Sequence, residues 1–71
     1  MLIILKDGTR FNSLIDPKSL VDASSMLKRG FARVFIACEG RSRAVVYFNI
    51  DLIDVPMTLE LLEQRERHEQ I

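Results

Sequence analysis

Apolar residues open the chain in two short runs divided by a turn signal. Leu2-Ile3-Ile4-Leu5 precedes Lys6-Asp7-Gly8, and Thr9-Arg10-Phe11-Asn12-Ser13-Leu14 follows it. An Asp-Gly pair between β-prone runs predicts a hairpin closed by a two-residue type I′ turn, in which both central residues take positive φ. The period then changes. Leu20, Ala23, Ser24 and Leu27 recur at helical spacing and predict a helix over about 17–29. The signals at its two ends agree. Asp16 can accept the free amides of the first turn, and Pro17 suits the first helical position. Lys28 and Arg29 suit the negative end of the helix dipole, and Gly30 suits a left-handed cap.

A second pair of β-prone runs follows, Phe31 to Cys38 and Arg43 to Ile50, with Glu39-Gly40-Arg41-Ser42 between them as a turn. With Gly40-Arg41 at the tip, Cys38 lies opposite Arg43, Ile36 opposite Val45, and Val34 opposite Tyr47. One face then carries Phe31, Arg33, Phe35, Ala37, Ala44, Val46, Phe48 and Ile50. The other carries Ala32, Val34, Ile36, Cys38, Arg43, Val45, Tyr47 and Asn49. Both faces are largely apolar, whereas an antiparallel sheet with one solvated face alternates apolar and polar residues. Both faces therefore call for cover, from a helix, a curled sheet or another chain. Phe31 and Phe35 are expected to face the core.

Leu52-Ile53-Asp54-Val55 is a candidate short fifth strand ended by Pro56. A second helix is expected from Met57 or Thr58. Leu59, Leu61 and Leu62 give it apolar contact early, while Glu63 to Gln70 holds no apolar residue. Its distal half is thus expected to be solvated or frayed, with Glu63 and Arg67 in the favourable i,i+4 order. The chain reads as one small α+β domain: β-hairpin, helix, β-hairpin with a short extra strand, and C-terminal helix. Residues 1–56 form the core unit and 57–71 the helix. The antiparallel sheet is expected to be either open or curled.

Size sharpens the picture. Of 71 residues, 48% are hydrophobic, yet a chain this short buries too little to be robust without staples. Cys38 is the only cysteine and His68 the only histidine, so an internal disulfide is excluded and a structural zinc site lacks ligands. Self-association or a partner protein is the remaining route to stability, and a homo-oligomer is expected. The apolar start is too short for a secretory signal, no run is long enough to span a membrane, and a lone thiol suits a reducing compartment. Those readings point to the cytoplasm.

Charge is balanced overall but not along the chain. Residues 1–50 carry eight basic and four acidic side chains, while 51–71 carry two basic and six acidic ones. The result is a +4 body and a −4 tail, a polarity that pairs copies of a chain or meets an acidic partner.

No candidate catalytic constellation emerges. Cys38 reads as a small buried hydrophobe, His68 as a solvated helix residue, and Ser24-Ser25 have no base in register. Gly8, Gly30 and Gly40 each have turn or cap roles, so no phosphate loop forms. Asp51 and Asp54 alone make a poor metal site. No enzyme activity, metal, cofactor or small-molecule substrate is expected. Two binding surfaces are. The first is a basic cluster, Lys28, Arg29, Arg33, Arg41 and Arg43, in which Arg33 lies between Phe31 and Phe35. Arginine among aromatics suits RNA or DNA, although the same residues can simply keep a hairpin in water. The second is a protein interface built from Val34, Ile36, Val45, Tyr47, Leu59 and Leu62, with Tyr47 as an amphipathic anchor. An accessory or regulatory protein-binding module is the first reading, and a nucleic-acid-binding regulator the alternative.

Leu5-Lys6-Asp7-Gly8-Thr9-Arg10-Phe11 also resembles the opening hairpin of small Sm-like and SH3-like β-barrels. Val45-Val46-Tyr47-Phe48-Asn49-Ile50, followed by Leu52-Ile53, is similar to their closing strands. The resemblance covers about half the chain. It implies binding of RNA or protein rather than catalysis. The helix at about 17–29 and the unmatched RNA-contacting loops are departures from that pattern.

Overall fold

The computed structural model describes residues 1–31 and 33–69; the expectations placed on Ala32, Gln70 and Ile71 lie outside the described residues. The elements run β1 (Leu2–Ile4), β2 (Arg10–Asn12), α1 (Pro17–Lys28), β3 (Phe35–Glu39), β4 (Val45–Asn49), a 3-10 turn (Ile50–Leu52) and α2 (Val55–Glu69). Among the described residues the four strands form one antiparallel sheet in the order β1-β2-β3-β4. The sheet is open, so the barrel that the resemblance implies does not form.

Both hairpins close through a three-residue loop rather than a two-residue one. In the first, the Leu5 amide donates to the Thr9 carbonyl at 2.8 Å and the Gly8 amide donates back to the Leu5 carbonyl at 2.9 Å. Gly8 alone takes positive φ, at 92°, and Asp7 instead accepts the Thr9 amide on its carboxylate. The second hairpin repeats the design. The Gly40 amide donates to the Ala44 carbonyl, and the Arg43 amide donates to the Gly40 carbonyl. Here Arg43, at φ 62°, occupies the left-handed position that Gly8 holds in the first loop. A tight turn followed by one left-handed residue is the usual three-residue hairpin closure.

That loop corrects the expected register. The observed pairs are Phe35 with Asn49, Ile36 with Phe48, Ala37 with Tyr47, Cys38 with Val46, and Glu39 with Val45. The slip is three residues, an odd number, so the two strands regroup across the faces. Ile36 and Cys38 now share the inner face with Val46 and Phe48. Phe35 and Ala37 share the outer face with Val45 and Tyr47. Phe31 and Phe35, expected in the core, are exposed.

α1 follows its sequence signals closely. The Asp16 carboxylate accepts the Ser19 amide at 2.8 Å, and Pro17 fills the first helical position. At the other end the Gly30 amide donates to the Leu27 carbonyl and the Phe31 amide to the Met26 carbonyl, with Gly30 at φ 100°. This is the Schellman arrangement, and it demands the left-handed residue that glycine supplies. The cap ends in a loop, so β3 starts at Phe35 and not at Phe31. Leu20 and Ala23 of α1 bury against Ile3, Leu5, Ile36, Cys38, Ile50 and Ile53 beneath the inner face. Phe11 and Phe48 meet over β3 with ring centroids 4.7 Å apart.

The chain leaves β4 through the 3-10 turn and reaches the far edge of the sheet. There the proposed fifth strand is reduced to one antiparallel bridge, Leu5 with Ile53. α2 starts at Val55, two residues before the expected Met57, because Asp54 acts as a cap: its carboxylate accepts the Met57 amide at 3.1 Å. Pro56 therefore lies inside the first turn, where its missing amide is harmless. α2 packs against β1 and α1. Glu63 to His68 is exposed, and Arg67 donates to Glu63 across one helical turn. No helix among the described residues is long and apolar enough to cross a membrane.

Candidate protein interface

The outer face of the β3–β4 hairpin carries the largest exposed apolar side chains that lie side by side. Phe35 is 58% exposed, Val45 61% and Tyr47 65%. The register sets Ala37 directly opposite Tyr47 and brings Phe35 diagonal to it, so the four form one patch. The patch continues past the end of β2. A shallow groove of about 270 Å³ runs between Asn12, Leu14, Ala37, Glu39, Arg43 and Val45. Leu14 is fully exposed at its rim.

This groove exists because β2 stops early. β2 and β3 share one pair, Asn12 with Glu39. The next residue, Ser13, turns its hydroxyl to the sheet: it donates to the Ala37 carbonyl at 2.7 Å and accepts the Ile15 amide at 3.2 Å. A side chain thus replaces the ladder, and the chain departs toward α1. The Met1 amino group donates to the Ser13 carbonyl and fastens the same corner.

The structure divides the residues expected at the interface. Val45 and Tyr47 stand on the exposed face. Ile36 is buried, and Val34 and Leu59 pack half-buried against the core. Leu62 lies half-buried on α2. The six do not form one surface, because the register slip carried Ile36 inward. Phe35, Ala37 and Leu14 are instead exposed beside Val45 and Tyr47. Sequence reasoning missed the first two by assuming the shorter loop.

The basic residues are also divided. Lys28 and Arg29 end α1 and Arg33 precedes β3, whereas Arg41 and Arg43 sit in the hairpin loop. The five residues of β3 separate these ends by roughly 16 Å. All five cations are exposed. Arg10 adds a sixth on the outer face, paired opposite Ile4.

Candidate nucleophiles are occupied structurally. Cys38 is 3% exposed, and burial pushes its thiol pKa up, which keeps it protonated and unreactive at neutral pH. Thr58 is buried, accepts the Ile4 amide at 3.1 Å and donates to the Asp54 carbonyl at 2.7 Å. Among the described residues no cluster of three His, Cys, Asp or Glu side chains is placed to hold a metal ion. A second cleft of about 340 Å³, between the first hairpin loop and α2, is lined by Lys6, Arg10, Asp54, Met57, Glu60 and Leu61 among others. No family model, curated protein or solved structure matches this chain.

Proposed function

We propose that this chain is a non-enzymatic interaction module, of an accessory or regulatory kind, that docks protein on the outer face of its second hairpin. The observation that carries this reading is the contiguous exposure of Phe35, Ala37, Val45 and Tyr47. A small domain has little burial to spare, and leaving two aromatics and a valine in water forgoes several kcal/mol at about 1.5–3 kcal/mol per large side chain. Covering them recovers that energy. Tyr47 has the form of an interface anchor, with a broad apolar ring and a hydroxyl that tolerates either side of a wet rim. Leu14 and the groove beside it extend the surface, and Asn12, Glu39 and Arg43 supply a polar border.

The test is site-specific photocrosslinking in the source cell, with the crosslinker placed at Phe35, at Tyr47, or at Lys18 as an exposed control on α1. A discrete protein adduct from positions 35 and 47 and none from 18 is expected. Equal, diffuse labelling from all three positions contradicts the reading.

A second reading has one observation in its favour. Phe35 and Tyr47 are exposed aromatics on a hairpin face, with exposed Arg33 before β3 and exposed Arg43 in the hairpin loop, an arrangement suited to stacking unpaired bases. Zero net charge and the split of the cations between two ends weigh against it. It predicts binding to single-stranded RNA or DNA that weakens steeply with salt and is lost on charge reversal of Arg29, Arg33 and Arg43. Absence of binding at low salt disposes of it.

A further inference from the structure

The chain treats the two edges of its sheet differently. At β1 the exposed backbone is met from within. The Lys6 amide donates to the Leu52 carbonyl at 2.9 Å, the Asp54 amide donates to the Ile4 carbonyl at 2.9 Å, and the Ile4 amide donates to the Thr58 hydroxyl. At Val45 and Tyr47 of β4 no such contact is made among the described residues. The bonds from the Gly40 amide to the Ala44 carbonyl and from the Ile50 amide to the Val34 carbonyl set the alternation of the ladder. Even-numbered residues of β4 face β3, so the amide and carbonyl of Val45 and of Tyr47 point out of the sheet. Among the described residues these four groups have no hydrogen-bond partner.

Edge strands are normally protected by a lysine, a proline, a bulge or a covering segment. β4 reads Val-Val-Tyr-Phe-Asn, with none of these. It is short, uncharged and apolar on both faces, which makes it a template for another strand. Resting on the protein-docking reading above, we infer that β4 pairs antiparallel with β4 of a second copy, about a two-fold axis at Val46.

Self-pairing is favoured over an unrelated strand by the symmetry of the edge. Centring on Val46 sets Val45 of each copy against Tyr47 of the other, so the four outward groups in each chain satisfy one another with four interchain hydrogen bonds. The side chains then form aromatic–β-branched pairs on the outer face, a favourable cross-strand combination. On the inner face Val46, still 37% exposed in the monomer, packs against its own copy. Charge agrees. Arg41 and Arg43 lie at one end of β4 and Asp51 lies just past the other, all exposed. An antiparallel pair brings the cations of one chain to the acid of its partner at both ends, whereas a parallel pair sets like beside like. Arg43 holds a backbone conformation for which glycine is the easier residue, as Gly8 illustrates in the first loop. The dimer gives the charge at that position a use. The result is an eight-stranded sheet whose outer faces merge. Pairing two short edges covers less than the roughly 1,200–2,000 Å² of a standard interface, so the dimer is reversible.

The test is sedimentation equilibrium on the full chain at protein concentrations from about micromolar to about millimolar. Three forms are compared: the native chain, a synthetic chain with the Tyr47 amide N-methylated, and Phe35→Ser. N-methylation removes one outward donor and blocks close approach while keeping the side chain. Phe35 lies on β3 and off the proposed seam. The inference expects native and Phe35→Ser to reach the dimer mass, and the N-methyl chain to remain a monomer with unchanged circular dichroism. If the N-methyl chain dimerises and Phe35→Ser does not, copies stack through their outer faces; the edge pairing is then overturned, and the docking face stands. A native chain monomeric throughout also overturns the pairing. The docking reading is then judged separately, by whether crosslinks from positions 35 and 47 reach a different protein.

Discussion

Thr58 shows how much of this fold hangs on single polar atoms. Its hydroxyl lies in the interior and holds the Ile4 amide, so it ties α2 to the edge of the sheet. Thr58→Val keeps the shape and deletes the acceptor. Leaving a buried amide unpaired costs about 1–3 kcal/mol, a large share of what a domain this size possesses. Urea denaturation should show the midpoint fall with an unchanged slope; an unchanged midpoint would mean that the hydroxyl is dispensable. Arg43 makes the opposite case. Relieving its left-handed backbone in Arg43→Gly is expected to stabilise the monomer by up to about 1 kcal/mol, the strain removed being partly offset by glycine's flexibility in the unfolded chain. A thermal melt shifted upward by a few degrees checks this, and a downward shift contradicts it. Neither of these two roles stood out in the sequence. Thr58 looked like an ordinary helix-start residue, because its partner is 54 positions away. Arg43 looked like a strand residue, because nothing in its type announces a left-handed turn.

At the scale of elements, the local signals were the legible ones. Asp16, Pro17 and Gly30 mark α1 because capping is decided by neighbours in sequence. The Asp16 carboxylate pKa is lowered, first by the Ser19 side chain and then by the Ser19 amide; the Asp7 carboxylate is lowered by the Thr9 amide and side chain. A lowered folded-state value means that the unfolded chain binds protons more readily. Stability from these caps is therefore complete above the ordinary carboxylate range and is lost as pH falls through the lowered values. Asp16→Asn keeps a capping oxygen without the titration, so it should flatten the acid limb of the stability–pH curve; a limb as steep as the native one would contradict that assignment. The hairpin registers were less legible. Loop length is set by one residue's φ, and Asp-Gly or Gly-Arg fits both two-residue and three-residue closures on paper. An odd slip then put Ile36 in the core and left Phe35 exposed, the reverse of the expected arrangement.

On the scale of the whole molecule, the unusual composition proved more informative than any motif. A hairpin apolar on both faces signalled that one helix would not suffice, and the fold leaves its outer face open. α1 covers the inner face, and α2 is spent on the β1 edge, where Asp54 and Thr58 engage the backbone. Among the described residues no helix packs on the outer face of β3 and β4. The basic residues, neighbours along the chain, are set at two ends of β3, with Lys28, Arg29 and Arg33 at one and Arg41 and Arg43 at the other. What the fold presents outward is thus one apolar face and, at Val45 and Tyr47 of the same hairpin, outward backbone groups, and docking is proposed there.

Amide hydrogen exchange followed by NMR at low and high protein concentration tests that placement most directly. The Val46 and Phe48 amides, turned toward β3, should exchange slowly at both concentrations. The Val45 and Tyr47 amides, turned outward, should exchange rapidly when dilute and slow markedly when concentrated. Rapid exchange of Val45 and Tyr47 at every concentration would contradict edge docking by a second copy, and slow exchange even at high dilution would mean that the monomer already covers its own edge.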